Sequence, residues 1–249
     1  MSSAKRFSVI TLFPEMFAAL QQEGVIARAI AKKLIHLETV FLRDFSEGER
    51  RSVDEHPVGG GDGMVLRPEV VERAILATQT EESFVVCLSP SGKVFNNEMA
   101  KMLAQKSHLI FLCGRYAGFD ERTVQKYTDI EVSLGDFVLS GGELPSMCVI
   151  DTVSRFVPGV LGNALSAQAD SFEDGLLEAP TYTKPLDYHG ISVPEILLSG
   201  DHGKISVWRR RSQIKKTALN RPDLILRLWD ELSKSERAFV EKIWKHNDN

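Results

Sequence analysis

Short apolar runs alternate with segments of helical periodicity through the first two-thirds of the chain, and this alternation restricts the possible folds more than any other feature. The predicted strands are 7–12, 37–41, 84–88 and 109–113. The predicted helices are 16–33, 69–78, 97–104 and 121–127. Strands that are separated by helices pair in parallel, because each helix returns the chain to the same end of the sheet. The sequence therefore predicts an α/β domain with a largely parallel sheet.

The chain changes character after about residue 160. Residues 158–175 are rich in glycine, serine, alanine and acids without periodicity, which predicts a linker or mobile loop, and the prolines in 176–199 predict an irregular segment. From Gly200 onward the pattern is helical again, with predicted helices at 205–219, 222–232 and 235–245. We therefore divide the chain into an α/β domain at 1–160, a flexible linker at 161–175 and a small C-terminal helical domain at 176–249.

Charge is unevenly distributed along the chain. The net charge is −4, but residues 200–249 hold 12 Lys and Arg against 7 Asp and Glu (+5), whereas the first 199 hold 18 against 27 (−9). The basic residues are densest between Arg209 and Lys216. Such a run is either the solvated face of a helix or a phosphate-binding face, because lysine and arginine release counterions from nucleic acid. Charge alone leaves both interpretations open.

The cysteines and the hydropathy of the chain indicate the cellular compartment in which we expect the protein. Cys87, Cys113 and Cys148 are far apart and lie among apolar residues, which fits neither a disulfide framework nor a zinc site. We expect them to be small buried hydrophobic side chains in a reducing compartment. No apolar run reaches the length of a membrane span or resembles a signal peptide. The sequence therefore predicts a cytoplasmic protein without membrane association.

Three glycine-bearing stretches follow predicted strand ends or precede a helical segment. They are Leu-Ser-Pro-Ser-Gly at 88–92, Cys-Gly-Arg-Tyr-Ala-Gly at 113–118 and Ser-Leu-Gly-Asp-Phe-Val-Leu-Ser-Gly-Gly-Glu-Leu-Pro at 133–145. Glycine lets the backbone approach a ligand closely, and proline ends regular pairing. Because the ends of parallel strands meet at one edge of a sheet, these loops are predicted to cradle a small molecule.

Signatures of other enzyme classes are missing. The glycine run at 59–63 has neither the GxGxxG spacing nor the lysine of a P-loop, so it predicts only a flexible loop of close approach. The chain has no nucleophile-elbow serine and no HExxH, and its six histidines are too far apart for local ligand pairs. Hydrolase and metalloenzyme functions are therefore disfavoured, and we assign no metal ligand.

The three loops, taken in order, resemble the bacterial tRNA (guanine-N1)-methyltransferase family, TrmD. The matching motifs are Leu-Ser-Pro-x-Gly, Cys-Gly-Arg-Tyr-x-Gly-x-Asp-Glu-Arg and Gly-Asp-Phe-Val-Leu-Ser-Gly-Gly-Glu-Leu-Pro. Further matching segments are 9–16, 53–63, 151–162 and 170–183. The resemblance thus covers essentially the whole chain, with long motifs in the family's order.

This resemblance implies a fold and a cofactor. TrmD proteins are SPOUT methyltransferases, whose parallel sheet carries a deep trefoil knot, and the three loops form the knot and hold S-adenosylmethionine in a bent shape. Backbone groups exposed by glycines can read the adenine edge of such a ligand. The cofactor contacts implied by position are Leu88, Ser89, Pro90, Gly114, Tyr116, Gly118, Ser133, Leu134, Gly135, Asp136, Phe137, Val138, Leu139, Gly141, Gly142 and Pro145.

The resemblance also implies the catalytic and tRNA-binding residues. Asp170 matches the general base that takes the proton from guanine N1, and Arg155 matches the arginine that stabilises charge developing on O6. The implied substrate is the guanine at tRNA position 37, next to the anticodon, and the implied assembly is a homodimer with sites shared between chains. We assign tRNA contacts to Asp54, Gly59, Glu178, Arg209, Arg210 and Lys215.

Two departures from the family pattern affect these expectations. Ala117 stands where the family usually has a glutamate that is linked to its magnesium dependence, which leaves the use of Mg²⁺ open. Glu178 stands where aspartate is common, which keeps the charge but lengthens the side chain. Two alternative functions are methylation of a different RNA, at ribose or another base, and RNA binding without catalysis. The Asp170 and Arg155 pair argues against ribose methylation, and Ala117 alone favours a non-catalytic protein.

Overall fold

Five parallel strands form the central sheet of a computed structural model that describes residues 4–162 and 170–247. The strands of the first part of the chain are β1 (Lys5–Thr11), β2 (Ile35–Phe41), β3 (Asp54–Glu55), β4 (Val65–Leu66), β5 (Ser83–Val94), β6 (His108–Cys113) and β7 (Ile130–Ser133). The order in the sheet is β2-β1-β6-β5-β7, while β3 and β4 form a separate antiparallel pair. The predicted α/β class with a parallel sheet is confirmed.

Helices cover both faces of this sheet. They are α1 (Ala18–Gln22), α2 (Gly24–Ala31), α3 (Pro68–Thr78), α4 (Asn97–Ala104), α5 (Glu121–Tyr127) and α6 (Glu143–Arg155), with 3₁₀ helices at Pro14–Phe17 and Leu42–Phe45. Alternate side chains of β1 enter opposite cores: Phe7 and Val9 pack with α2, α4 and α6, whereas Ile10 packs with α3. A parallel sheet that is buried on both faces explains why its strands appear in the sequence as continuous apolar runs.

The helix predicted at 16–33 is wrong as a single element. The chain instead forms the Pro14–Phe17 3₁₀ turn, α1 and α2, with a break between the two α-helices. Glu23 is extended there (φ −137°, ψ 162°), and Gly24 has φ +83°, a conformation that favours glycine. The apolar periodicity continues across this break because both helices present their apolar residues to the same core.

Strand β5 continues beyond the predicted end at Leu88. Both Leu88 and Lys93 pair with Val132 of β7, so residues 89–92 bulge out of the sheet and the chain returns to the same partner strand. At the point of return, a Cβ on Gly92 would lie 2.4 Å from the backbone nitrogen of Val132. The predicted Leu-Ser-Pro-Ser-Gly loop is thus a bulge within one long strand, closed by a glycine.

One of the three cysteines is not buried as expected. Cys87 and Cys113 lie in the core, but Cys148 is exposed. The buried face of α6 carries Val149, Ile150 and Val153, and position 148 falls outside that stripe on the helix. The free thiol of Cys148 therefore faces away from the core.

The chain divides into two compact units, Met1–Ala164 and Leu165–Asn249. The elements of the second unit are β8 (Asp187–Tyr188), β9 (Ile191–Ser192), a 3₁₀ helix at Glu195–Leu198, α7 (His202–Asn220), α8 (Pro222–Arg227) and α9 (Lys234–Asn247). Its core contains Ile214, Ile225 and Val240, and the rings of Trp229 and Trp244 stack with centroids 5.9 Å apart. The three helices predicted after Gly200 are present, although α8 ends earlier than expected.

The predicted linker lies only partly within the described residues, because 163–169 fall outside them. Residues 170–175 form a turn in which the Phe172 amide donates to the Leu176 carbonyl at 2.7 Å, and Leu176 is fully buried in the second unit's core. The limits of the predicted linker stay a prediction. Among the residues described, none of the helices has both the length and the apolar character needed to cross a membrane.

Candidate functional site

A cleft of about 400 Å³ lies where β5, β6 and β7 end, at one edge of the sheet. Its walls are the bulge after Leu88, the loop after Cys113 and the loop after Ser133, which are the three glycine-bearing stretches of the sequence. A crevice beyond the carboxyl ends of parallel strands is the usual ligand site of such sheets. Every residue assigned to the cofactor lines this cleft except Gly135 and Asp136.

The last of these loops is fitted tightly against the end of β6. The Gly142 amide donates to the Gly114 carbonyl at 2.9 Å, and a Cβ on Gly142 would lie 2.7 Å from the Cα of Cys113. Real Cβ atoms do not approach backbone that closely, so glycine is required here by space. The cleft walls are therefore packed backbone against backbone, and α6 begins directly behind them at Glu143.

Apolar side chains stand exposed along the cleft. Val138 is 84% exposed and Tyr116 is 57% exposed, and Phe137 and Leu139 beside them are also exposed. Tyr116 has φ +60° in a turn that the Gly118 amide closes by donating to the Arg115 carbonyl at 3.0 Å. Contiguous apolar surface around a concave site is typical of a ligand-binding region.

The two buried cysteines, Cys87 and Cys113, do not carry reactive thiols. Burial, followed by the charges of Glu131 and Glu121, raises the pKa of Cys87 to about 12. Burial also raises the pKa of Cys113. Both thiols therefore stay protonated at neutral pH and cannot act as nucleophiles. Within 4–162 and 170–247, no group of three or more His, Cys, Asp or Glu side chains is placed to hold a metal ion.

The β3–β4 hairpin is joined to the cleft wall by backbone hydrogen bonds. The Ala117 amide donates to the Met64 carbonyl at 2.8 Å, and the Leu66 amide donates to the Gly118 carbonyl at 2.9 Å. Two residues assigned to tRNA lie on this hairpin: Asp54 is half-buried in β3, and Gly59 lies exposed in the connecting loop. The structure thus connects the hairpin that carries two residues assigned to tRNA with the 113–118 loop assigned to the cofactor.

The two proposed catalytic residues lie in different units. Arg155 is exposed and is the last residue of α6 in the first unit. Asp170 is half-buried at the start of the described part of the second unit, where its carbonyl accepts a hydrogen bond from the Glu173 amide at 3.4 Å. Arg155 thus stands at the end of a helix and Asp170 at the start of a turn.

The second unit has its own groove, with a volume of about 960 Å³. The assigned tRNA residues Glu178, Arg209 and Arg210 line it, whereas Lys215 lies exposed on the same helix α7 but does not. The groove also contains Tyr182 and Trp208, whose ring centroids are 6.3 Å apart.

The charge of Arg210 is already compensated within the unit. Its Nε lies 2.9 Å from Glu236 Oε1, and its Nη1 lies 3.0 Å from Asp174 Oδ2. Arg209 and Lys215 therefore fit phosphate contacts better than Arg210 does.

Sequence reasoning missed several residues that line the cleft. Arg115, Glu121, Glu131 and Ser140 all border it. Arg115 and Ser140 belong to the glycine-bearing stretches themselves, so position within those stretches was the available signal. Glu131 lies in β7, a strand of four residues whose alternation Ile-Glu-Val-Ser is too short to stand out as a strand pattern.

Comparison with known proteins gives one consistent result. The family model described as "tRNA (Guanine-1)-methyltransferase TrmD" matches residues 5–227. A tRNA (guanine-N(1)-)-methyltransferase of Dictyoglomus turgidum is 45% identical over 240 residues, covering 96% of this chain and 97% of the relative. Proteins of the same name from Syntrophotalea carbinolica and Burkholderia ambifaria are each 46% identical, over 98% and 99% of this chain and over 98% and 97% of the relatives.

Proposed function

Because this chain belongs to the TrmD family of tRNA (guanine-1)-methyltransferases, we propose that it methylates N1 of the guanine at tRNA position 37 with S-adenosylmethionine as methyl donor. The observation that carries the proposal is the cleft at the ends of β5, β6 and β7, lined by the three family motifs. Its volume of about 400 Å³ lies within the ~300–1,000 Å³ typical of small-molecule sites.

The residues of the cleft fit S-adenosylmethionine in size and chemistry. Gly114, Gly118 and Gly141 line the cleft, and because they have no side chains, backbone N–H and C=O groups of the walls can pair with an adenine edge. The exposed apolar side chains of Tyr116, Phe137 and Val138 can cover its rings and carbon chain. When bound, this cofactor supplies the methyl group as an electrophilic sulfonium substituent.

We further propose that the loops of the cleft form the deep trefoil knot of the SPOUT fold. The contacts at Gly142, which lies against Cys113 and Gly114, support a chain that passes tightly through its neighbours. The return of β5 to β7 at Gly92 supports the same arrangement.

In the proposed mechanism the chain's own residues handle a proton and a developing charge. Guanine N1 carries a proton at neutral pH, and the Asp170 carboxylate takes it as general base. As that proton leaves, negative charge grows on guanine O6, where the planar guanidinium of Arg155 offers two donors. The remaining catalytic contribution is positioning of N1 for in-line transfer.

Because the resemblance to the TrmD family implies a homodimer with shared sites, we propose that each active site of this protein is built from both chains. A mixed dimer tests this. One chain carries Asp170→Ala and its partner carries Leu139→Glu, which fills the cleft. If the sites are shared, one of the two sites in the mixed dimer is active, because it combines the intact cleft of the Asp170→Ala chain with the intact Asp170 of the Leu139→Glu chain. Activity at the background of the two parent variants would refute sharing.

The second unit is the proposed anticodon-stem binding domain. Arg209 and Lys215 are exposed on α7 and can contact phosphates, which position the RNA without reading its sequence. Tyr182 in the groove is a suitable surface for an unstacked base. We place the reaction in the cytoplasm, with tRNA and a second copy of this chain as partners.

The direct test measures transfer from labelled S-adenosylmethionine to two tRNA transcripts that differ only at the guanine of position 37. We expect labelling of the transcript that contains the guanine and none of the other. Labelling of both indicates a different target, such as ribose, and labelling of neither indicates RNA binding without catalysis. The same assay with added Mg²⁺ or with a chelator decides whether Ala117 has removed a metal requirement.

A substitution separates catalysis from binding. Asp170→Ala is expected to abolish transfer while S-adenosylhomocysteine still binds, because a general base acts on the RNA substrate. Asp230→Asn, an exposed carboxylate of the same unit, is the matched control and should leave transfer unchanged. Loss of cofactor affinity in Asp170→Ala would show that the role assigned to Asp170 is wrong.

A further inference from the structure

Arg115 connects three separate segments at the cleft. Its Nε lies 2.9 Å from Glu143 Oε2, and its Nη1 donates to the Ser140 carbonyl at 3.1 Å. Its guanidinium carbon lies 4.4 Å from the centre of the Phe13 ring, in the segment that follows β1. With only 17% of its side chain exposed, Arg115 is held on several sides rather than extended into solvent.

Glu143 is the buried end of this contact. Its side chain is 0% exposed, and its Oε1 accepts a hydrogen bond from Thr11 Oγ1 at 2.8 Å. Thr11 Oγ1 in turn accepts a hydrogen bond from the Phe13 amide at 2.9 Å. The Nε–H of Arg115 is not aligned on Glu143 Oε2, so their contact is an ion pair rather than a directed hydrogen bond. A carboxylate buried this deeply requires a nearby cation.

The loop is shaped around this arginine. A Cβ on Gly141 would lie 2.3 Å from Arg115 Nε and 2.6 Å from its Cδ. The loop between Ser133 and Gly142 therefore ends against the Arg115 side chain on one side and against the start of α6 on the other. Glu143 does not itself line the cleft, so any influence on a ligand passes through Arg115 and the loop.

We propose that Arg115 and Glu143 are a positioning pair that holds the 133–142 loop in the shape that accepts the cofactor. This inference rests on the proposed function of the cleft as an S-adenosylmethionine site. The buried charge of Glu143 holds the Arg115 guanidinium, and the guanidinium holds the Ser140 carbonyl. The cleft-lining residues of the loop are thereby kept in fixed positions. Loss of either charge releases the loop, and loss of the Glu143 charge does so while leaving every cleft-lining side chain unchanged.

The test uses Glu143→Gln, which keeps the size of the side chain and its acceptor for Thr11 but removes the charge. We expect the Kd for S-adenosylhomocysteine, measured by calorimetry, to rise about tenfold. The KM for S-adenosylmethionine should rise by a similar factor, while kcat at saturating cofactor and tRNA falls less than about threefold. Glu69→Gln, which removes the carboxylate of the half-buried pair with Arg67, is the matched control and should leave Kd unchanged.

Further variants distinguish positioning from direct contact. Arg115→Met combined with Glu143→Gln should weaken cofactor binding no more than Arg115→Met alone, because the two side chains act as one unit. Arg115→Lys, which keeps the charge beside Glu143, should give an intermediate Kd and carries the test if Glu143→Gln does not fold. A folded Glu143→Gln protein with wild-type Kd, or additive effects of the two substitutions, would overturn the proposal. Failure of the wild-type protein to bind the ligand would instead refute the proposed function.

Discussion

Gly92 provides a direct test of how β5 returns to β7. A Cβ added at this position would lie 2.4 Å from the Val132 nitrogen, 2.5 Å from the Glu131 carbonyl carbon and 2.7 Å from the Glu131 oxygen. All three are backbone atoms, so no side chain can rotate away to make room. Gly92→Ala is therefore expected to destabilise the protein by forcing two strands apart, and no left-handed backbone conformation contributes to the effect.

The magnitude follows from these distances. Ordinary van der Waals contact begins at 3.4 Å, so the strands must separate by about 1 Å from the ~4.8 Å spacing that their hydrogen bonds maintain. Overpacking of this kind costs about 1–3 kcal/mol, and each weakened backbone hydrogen bond adds about 1 kcal/mol. We expect a loss of about 4 kcal/mol in the free energy of unfolding, which corresponds to a fall in Tm of about 8–16 °C.

Thermal unfolding followed by circular dichroism measures this loss, and calorimetry with S-adenosylhomocysteine measures its effect on the cleft. Gly162→Ala is the matched control, because no atom of the described residues would lie within 4 Å of a Cβ there, and its Tm should stay within about 2 °C of wild type. The Ser89–Ser91 bulge lines the cleft, so Gly92→Ala should also weaken ligand binding. Equal Tm values for the two alanine variants would refute the close packing of Gly92 on β7.

Three further predictions concern the buried polar groups and the basic helix. Lys5→Met should cost about 2 kcal/mol, measured by urea unfolding, because the buried Lys5 ammonium donates to the Leu103 carbonyl at 2.6 Å at the end of α4; an unchanged midpoint would contradict this. Burial, with a smaller effect of Arg6, lowers the pKa of His108 from 6.5 to about 4. Between these two pH values the unfolded chain binds a proton at His108 that the folded protein does not bind, so Tm should fall as the pH drops from 6.5 to 4. In His108→Gln, Tm should depend less on pH over this range, and an unaltered pH dependence of Tm would refute this role of His108. Lys215→Ala should reduce the slope of the logarithm of the tRNA binding constant against the logarithm of the salt concentration by about one, without changing which transcript is methylated. An unaltered slope would exclude a phosphate contact at Lys215.

The parts of the fold that the sequence could predict are those in which local pattern and tertiary environment agree. The strand at 109–113 is apolar throughout because the sheet is buried on both faces, and β6 occupies that position. Asn96 accepts a hydrogen bond from the Met99 amide at 2.9 Å, as expected for an N-cap. Ser233 caps the last helix, accepting from the Glu236 amide at 3.3 Å while Glu236 accepts from the Ser233 amide.

The remaining features depend on contacts between distant segments and have no local signature. Strand β7 is only four residues long, so its apolar-polar alternation is too short to identify a strand, and no local pattern shows its pairing with β5. The break at Gly24 lies within a continuous apolar pattern. Arg115 and Glu143 are 28 positions apart, and only the folded loops bring them together. The motifs located the cleft because they are continuous in sequence, whereas the ion pair behind it is not.

The backbone bonds between the β3–β4 hairpin and the 115–118 turn give the cleft an internal reporter. A molecule that stiffens this turn must also slow the opening of the hydrogen bonds donated by Ala117 and Leu66, whether or not it touches the hairpin. Deuterium uptake at the Leu66 amide then measures occupancy of the cleft without a labelled ligand and without turnover. A fragment too small to inhibit methyl transfer would still register there, so a screen for cleft ligands can begin before any tRNA has been prepared.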